Sequence, residues 1–122
     1  MKFLSIFPLG DSDPQRVPVR SVGPATAFYV QVLGFNLIER RENAAVISRD
    51  SVTLTLENNS LDPEQISFAI GVDDLDTLHR ELTDKHLEPS PIKADSFDGR
   101  NYRIFFAQEP FGVCFCFTQP AD

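Results

Sequence analysis

Alternation of large apolar residues with small or polar ones dominates the chain. Near the C-terminus Val113, Phe115 and Phe117 alternate with Cys114, Cys116 and Thr118. Val52, Leu54 and Leu56 alternate with Thr53, Thr55 and Glu57, and Phe68, Ile70 and Val72 with Ser67, Ala69 and Gly71. Val17 and Val19 stand between Arg16, Pro18 and Arg20. Successive side chains of a strand point to opposite faces, so this period predicts strands with one bulky apolar face. Two segments depart from it. Leu75, Leu78 and Leu82 follow the i, i+3, i+7 spacing of a helix, with Asp73 or Asp74 as its cap. Gly23-Pro24 predicts a second helix with proline at its first position, closed at Gly34. Between those ends Ala27, Phe28, Val30, Val32 and Leu33 predict a well-buried helix.

In order, strands are expected over 15–20, 35–41, 44–49 and 52–58, with the first helix following the first strand. Pro14 and Pro18 place the first strand at an edge or seam. The polar stretch 59–64 is a linker. A strand over 66–72 and the second helix follow, then strands over 91–94, 101–107 and 113–118. Residues 96–99 are expected as a turn or flexible loop, with Gly99 making 96–100 a lid candidate. Strand, helix and three strands thus occur twice, about fifty residues apart, which is the signature of a repeat. The expected fold is α+β: two βαβββ modules, about 14–58 and 66–118, forming curved mixed sheets around a cavity with the helices outside. Residues 1–9 lie beyond the repeat, as an edge strand or one exchanged with a second subunit. The bulky faces are assigned to the helices, and the opposite faces to a cavity wall rather than to an open solvated surface.

The length of 122 residues fits one domain over 1–122. Eleven Phe and no Trp make its core Phe-rich. A net charge of −7 argues against nucleic acid and anionic membranes as partners. No apolar stretch approaches a membrane span, and residues 1–7 are too short for a signal peptide, so a cytoplasmic protein is expected. Cys114 and Cys116 would lie roughly 6.5–7 Å apart along a strand, at the limit for a disulfide. Free thiols and a reducing compartment follow. A Cys-x-Cys pair without a matching second pair does not make a zinc site.

Phe28-Tyr29-Val30-Gln31-Val32-Leu33-Gly34-Phe35 resembles the "FY…LGF" signature of the vicinal oxygen chelate superfamily. Val72-Asp73-Asp74-Leu75 resembles its second strand-to-helix step. Phe106-Ala107-Gln108-Glu109-Pro110-Phe111-Gly112 resembles its "F…DPxG" turn, with Glu in place of Asp. The resemblance covers about 14–118 and implies the paired βαβββ fold. It also implies a divalent metal held by one side chain from each of four strands. Those positions fall at Pro14, Thr55, Ser67 and Cys116, none of which is His, Glu or Asp. A hard or borderline ion needs carboxylate or imidazole ligands. His79 and His86 belong to the second helix, outside the sheets. Glu57, Asp11 and Asp13 are the carboxylates nearest the expected corners.

No metal, no cofactor and no catalytic residue is therefore assigned. Cys116 lacks a neighbouring base to make it a nucleophile. The antibiotic-sequestering members of the superfamily resemble this chain in lacking the metal set, and they are homodimers with grooves between subunits. The resemblance thus implies a metal-free small-molecule binding homodimer. Its ligand wall would be Thr53, Thr55, Glu57, Ser67, Tyr102, Phe106, Cys114 and Cys116. Phe97 and Phe111 are further stacking surfaces, and Arg16, Arg20, Arg100 and Arg103 are candidates for fixing an anionic group. The alternatives are a metal-dependent lyase, isomerase or dioxygenase with an atypical ligand set, and a homodimer with a vestigial cavity.

Overall fold

The computed structural model describes residues 1–121. Module one contains β2 (Val17–Pro18), α1 (Val22–Gln31), β3 (Asn36–Arg40), β4 (Ala44–Arg49) and β5 (Val52–Glu57). A 3₁₀ turn at Pro63–Gln65 leads into module two: β6 (Ser67–Val72), α2 (Leu75–Asp84), β7 (Lys93–Phe97), β8 (Arg100–Gln108) and β9 (Cys114–Pro120). β1 (Phe3–Leu9) precedes both. The strands form two mixed sheets, β2-β5-β4-β3 and β1-β6-β9-β8-β7. In each, the strand before the helix runs parallel to the last strand of its module, β2 with β5 and β6 with β9. The remaining pairs are antiparallel. This is the α+β architecture the repeat predicts. β1 adds itself antiparallel to β6 of the same chain, so the five-stranded sheet has one strand beyond the repeat.

The two helices are built differently. Asp74 caps α2: its carboxylate accepts from Thr77 N–H at 3.1 Å and from the Thr77 hydroxyl at 2.7 Å. Leu75, Leu78 and Leu82 are its buried stripe, as the spacing predicts. α1 begins at Val22, so Pro24 is its third residue rather than its first. The first four N–H groups of a helix have no partner within it, so proline is tolerated there. Its buried residues are Val22, Ala25, Thr26 and Tyr29, while Ala27 and Val30 are exposed. The expectation of a helix buried through Ala27 and Val30 is corrected here. α1 is apolar nearly all round, so composition does not single out the face that packs, and that face includes two hydroxyl-bearing residues. Gly34 ends the helical segment at φ +73°, and Phe35 N–H donates to Tyr29 O at 3.1 Å. A side chain at Gly34 would come within 2.7 Å of the Arg49 guanidinium, which donates to Leu33 O.

Two strand limits also differ from expectation. The segment 15–20 narrows to Val17–Pro18, because Pro18 has no N–H to extend the ladder, although Val19 N–H still donates to Glu57 O at 3.0 Å. The strand expected over 91–94 is Lys93–Phe97, and the expected loop contracts to Asp98-Gly99. Both of those residues have positive φ, the geometry of a tight two-residue hairpin turn.

The bulky faces read from the alternation are buried. Val52, Leu54, Leu56, Phe68, Val72, Val113 and Phe117 are fully enclosed. They belong to one hydrophobic cluster spanning both modules. Aromatic contacts join the halves: Tyr29 of α1 meets Phe35 and Phe115, and Phe3 of β1 meets Phe35 and Phe117. Among the described residues no helix is long and apolar enough to cross a membrane.

Candidate functional site

Strand register decides what the inner faces display. Opposed residues share a face. In the five-stranded sheet Ser67 opposes Leu9 and Cys114, and Phe106 opposes Cys116. Tyr102 opposes Asp95, and Lys93 opposes Ile104, on the same face. In the four-stranded sheet Thr53 opposes Ser48, Thr55 opposes Val46, and Glu57 opposes Ala44.

A cavity of about 240 Å³ opens on the five-stranded face. Ser67, Phe106, Cys114 and Cys116 line it. Leu9, Glu64, Gln65 and Ile66 complete the lining. Leu9 enters only because β1 pairs with β6, and no local pattern announces that partnership. Glu64 ends the stretch that reads as a linker and Gln65 follows it, and the 3₁₀ turn at Pro63–Gln65 brings both to the cavity edge. Tyr102 is half-buried farther along the same face and does not border this cavity.

Thr53, Thr55 and Glu57 sit on β5, in the other sheet. The corner 12–14 runs between the two groups. Ser12 Oγ accepts from Ser67 N–H at 2.9 Å, and Pro14 O accepts from Thr55 N–H at 2.8 Å. Glu57 is engaged at the end of its strand. Its Oε1 accepts from Asn59 Nδ2 at 3.1 Å and from Arg16 Nε at 3.2 Å, and these bonds hold its carboxyl below the usual range.

The thiols are governed by burial. Both are half-buried and free. Burial pushes the Cys114 thiol up. The Cys116 thiol is raised to about 11 by burial first, then by Cys114 and Asp95, with Lys93 opposing. Neither is an activated nucleophile, since attack requires thiolate. Lys93 Nζ stands 5.4 Å from the centre of the Phe106 ring, a cation–π contact at the cavity edge.

The donor set does not fit a hard divalent ion at the four positions the resemblance marks. Pro14 offers no side-chain donor and its carbonyl already accepts from Thr55. Thr55 and Ser67 offer hydroxyls, and Cys116 a protonated thiol. Among the described residues no group of three or more His, Cys, Asp or Glu converges to hold a metal. His79 is occupied in structure: its Nε2 lies 2.8 Å from Ser90 O, and its ring packs edge-on against Phe105.

The motif turn 109–112 holds a second group, one that sequence reading assigns no role. Glu109 is buried, and its Oε1 accepts from Val113 N–H at 2.6 Å. Its Oε2 and the buried Tyr29 hydroxyl perturb one another, yet neither completes a well-formed hydrogen bond. Burial raises the Glu109 carboxyl above its ordinary range.

Comparison with known proteins is consistent with this geometry. A model of the glyoxalase/bleomycin resistance protein/dioxygenase superfamily matches residues 13–117. The curated proteins contain no sequence match. Solved structures share the fold at low identity. The bleomycin resistance determinant encoded on the transposon Tn5 is similar at 18% identity and TM-score 0.73, covering 93% of this chain and 100% of that one. The bleomycin-binding protein of Streptomyces verticillus, complexed with copper(II)-bleomycin, is similar at 22% identity and TM-score 0.69, with coverages of 88% and 94%. A glyoxalase/bleomycin resistance protein/dioxygenase from Alicyclobacillus acidocaldarius is similar at 18% identity and TM-score 0.74, with 92% of each chain covered.

Proposed function

The chain belongs to the glyoxalase/bleomycin resistance protein/dioxygenase superfamily, and on that premise we propose that it binds a small organic molecule without altering it. One observation carries the reading. Ser67, Phe106, Cys114 and Cys116 border one cavity whose walls supply apolar surface and hydrogen-bonding rims, but no activated base or nucleophile. A cavity of that composition orients and shields a ligand; it does not polarise one. The divalent ion of the superfamily's enzymes has no suitable donors here, so the binding is independent of it. The bleomycin-binding fold neighbours support antibiotic sequestration as the form this binding takes.

The working unit is a cytoplasmic homodimer, each chain one domain of two modules. The five-stranded face leaves Phe7 63% and Phe97 71% exposed, and Leu9 and Phe106 are partly open beside the cavity. Uncovered aromatic surface of this kind marks a contact. A second copy would cover it and deepen the cavity, with Thr53, Thr55 and Glu57 contributing to the completed wall.

The test is a thermal-shift screen of purified protein with bleomycin-type glycopeptides and smaller aromatic cations, followed by calorimetry. A ligand at about 100 times its Kd adds roughly 2.7 kcal/mol, a readily measured rise in Tm. Phe106→Ala should abolish that rise while leaving the unliganded Tm within a few degrees. Sequestration is overturned if no ligand class raises Tm. It is equally overturned if the protein retains stoichiometric divalent metal that a chelator removes and that Glu57→Ala abolishes.

A further inference from the structure

We propose that Cys114 and Cys116 form a two-coordinate site for a soft d10 cation of the Cu(I), Ag(I) and Hg(II) class. The two thiols follow one another on the same face of β9 and border the same cavity. Strand rise separates their Cα atoms by roughly 6.5–7 Å. A direct S–S bond of about 2.05 Å must pull them inward against that spacing. A bridging ion places two metal–sulfur bonds between the sulfurs, each about 2.3 Å on the scale of Zn–S. The spacing that discourages a disulfide therefore suits a bridge.

Ligand softness and ligand number then select the ion. Sulfur ligands prefer Cu(I) and its heavier relatives over Mg, Ca or Mn. Structural zinc requires four ligands, and no group of three or more ligating side chains converges among the described residues. Linear d10 ions are satisfied by two. The surroundings favour a cation. Glu64 borders the cavity, and Asp95 acts on Cys116 from β7, opposed by Lys93 of the same strand. Leu9, Ile66 and Phe106 form the apolar part of the wall and limit the access of competing water ligands. On binding, each thiol releases its proton to solvent; the ion keeps its oxidation state and no electrons move. The site shares the cavity of the proposed organic ligand but does not depend on that ligand.

The experiment is an anaerobic titration of the reduced full-length protein with Cu(I) in competition with a chromophoric Cu(I) chelator, repeated with Ag(I). One ion per chain is expected, with one-to-one binding lost in Cys114→Ser and in Cys116→Ser. Alanine variants at both positions, checked by circular dichroism and Tm, separate loss of the site from loss of the fold. Absence of competition, two ions per chain, or undiminished binding in either single variant would overturn the proposal. Both assays on the unsubstituted protein keep the two readings apart. One-to-one ion binding with no organic response in the thermal-shift screen supports this site and overturns sequestration, whereas an organic response with no competition for Cu(I) overturns this site and leaves sequestration standing.

Discussion

Module one and module two follow the same order of elements, yet their inner faces have become different surfaces. On β5 the face opposite the core carries Thr53, Thr55 and Glu57, with Thr53 exposed and Glu57 tied to Arg16 and Asn59 at the end of the strand. On β9 the equivalent series is Cys114, Cys116 and Thr118, and two of those three border a cavity. The difference arises from what flanks each sheet. Module two gains β1 on one edge, which brings Leu9 beside Ser67, and the turn at 63–65 closes the end. In module one β2, the two-residue counterpart of β6, is itself the edge strand, and among the described residues no strand pairs beyond it. Duplication supplies two similar frames; the unrepeated segments decide which becomes a pocket. The helices repeat the contrast, with α2 amphipathic and capped by Asp74, and α1 apolar all round with no side-chain cap at Ser21.

The strongest way to break this asymmetry is to undo β1. Phe3 is fully enclosed, packs on Phe35 and Phe117, and lies beneath the Arg49 guanidinium at 4.2 Å. Phe3→Ala should cost about 3–5 kcal/mol in urea unfolding. Hydrogen exchange should show β6 losing protection before β5 does. The next effect comes from Glu109 and Tyr29, where the modules meet. The Glu109 carboxyl is raised in the folded state, so between its unfolded and folded pKa values the native protein binds more protons. Stability should therefore fall as pH rises through that window, above the ordinary carboxyl range. Glu109→Gln should flatten that part of the Tm profile and raise Tm at neutral pH, because an amide accepts from Val113 and donates to Tyr29 without charge. A Tm profile indistinguishable from the parent's would assign the buried acid no energetic role.

The helix contrast is tested by a matched pair. Asp74→Ala should cost about 1 kcal/mol, the usual value of a lost N-cap. Ser21→Ala should change stability by less than about 0.5 kcal/mol, since Ser21 makes no cap bond. Equal effects would mean the two helix starts are not different in kind. The last test leaves stability untouched. With its thiol raised to about 11 by burial, Cys116 should be alkylated by iodoacetamide at least ~10-fold more slowly than glutathione at pH 7.5. Mass spectrometry of timed samples reads this directly.

Much of the frame was legible because its signals are local. Alternation named the buried faces of β5, β6 and β9, and the Leu75, Leu78, Leu82 spacing named the face of α2. Four wall residues, Ser67, Phe106, Cys114 and Cys116, follow from the same alternation. What could not be read depends on partners distant in sequence. Leu9 faces the cavity through a pairing with residues nearly sixty positions away. The packing face of α1 was hidden because Val30 and Tyr29 are both large, and only the sheet beneath it distinguishes them. Glu109 looked like a turn residue, and its burial against Tyr29 appears only once the two motifs meet.

β1 has a consequence for how the protein comes into being. Phe3 N–H donates to Asp50, Ser51 N–H donates to Phe3 O, and the strand pairs along β6. β1 is made before β6, so its ladder cannot form until residues 67–72 have followed it. Until then only Phe3, through Phe35, Asp50 and Ser51, has partners in module one, whose local contacts can already form. The order of translation and the order of assembly run opposite to each other at this one strand, and its docking is the step at which a nascent chain is most open to a neighbour.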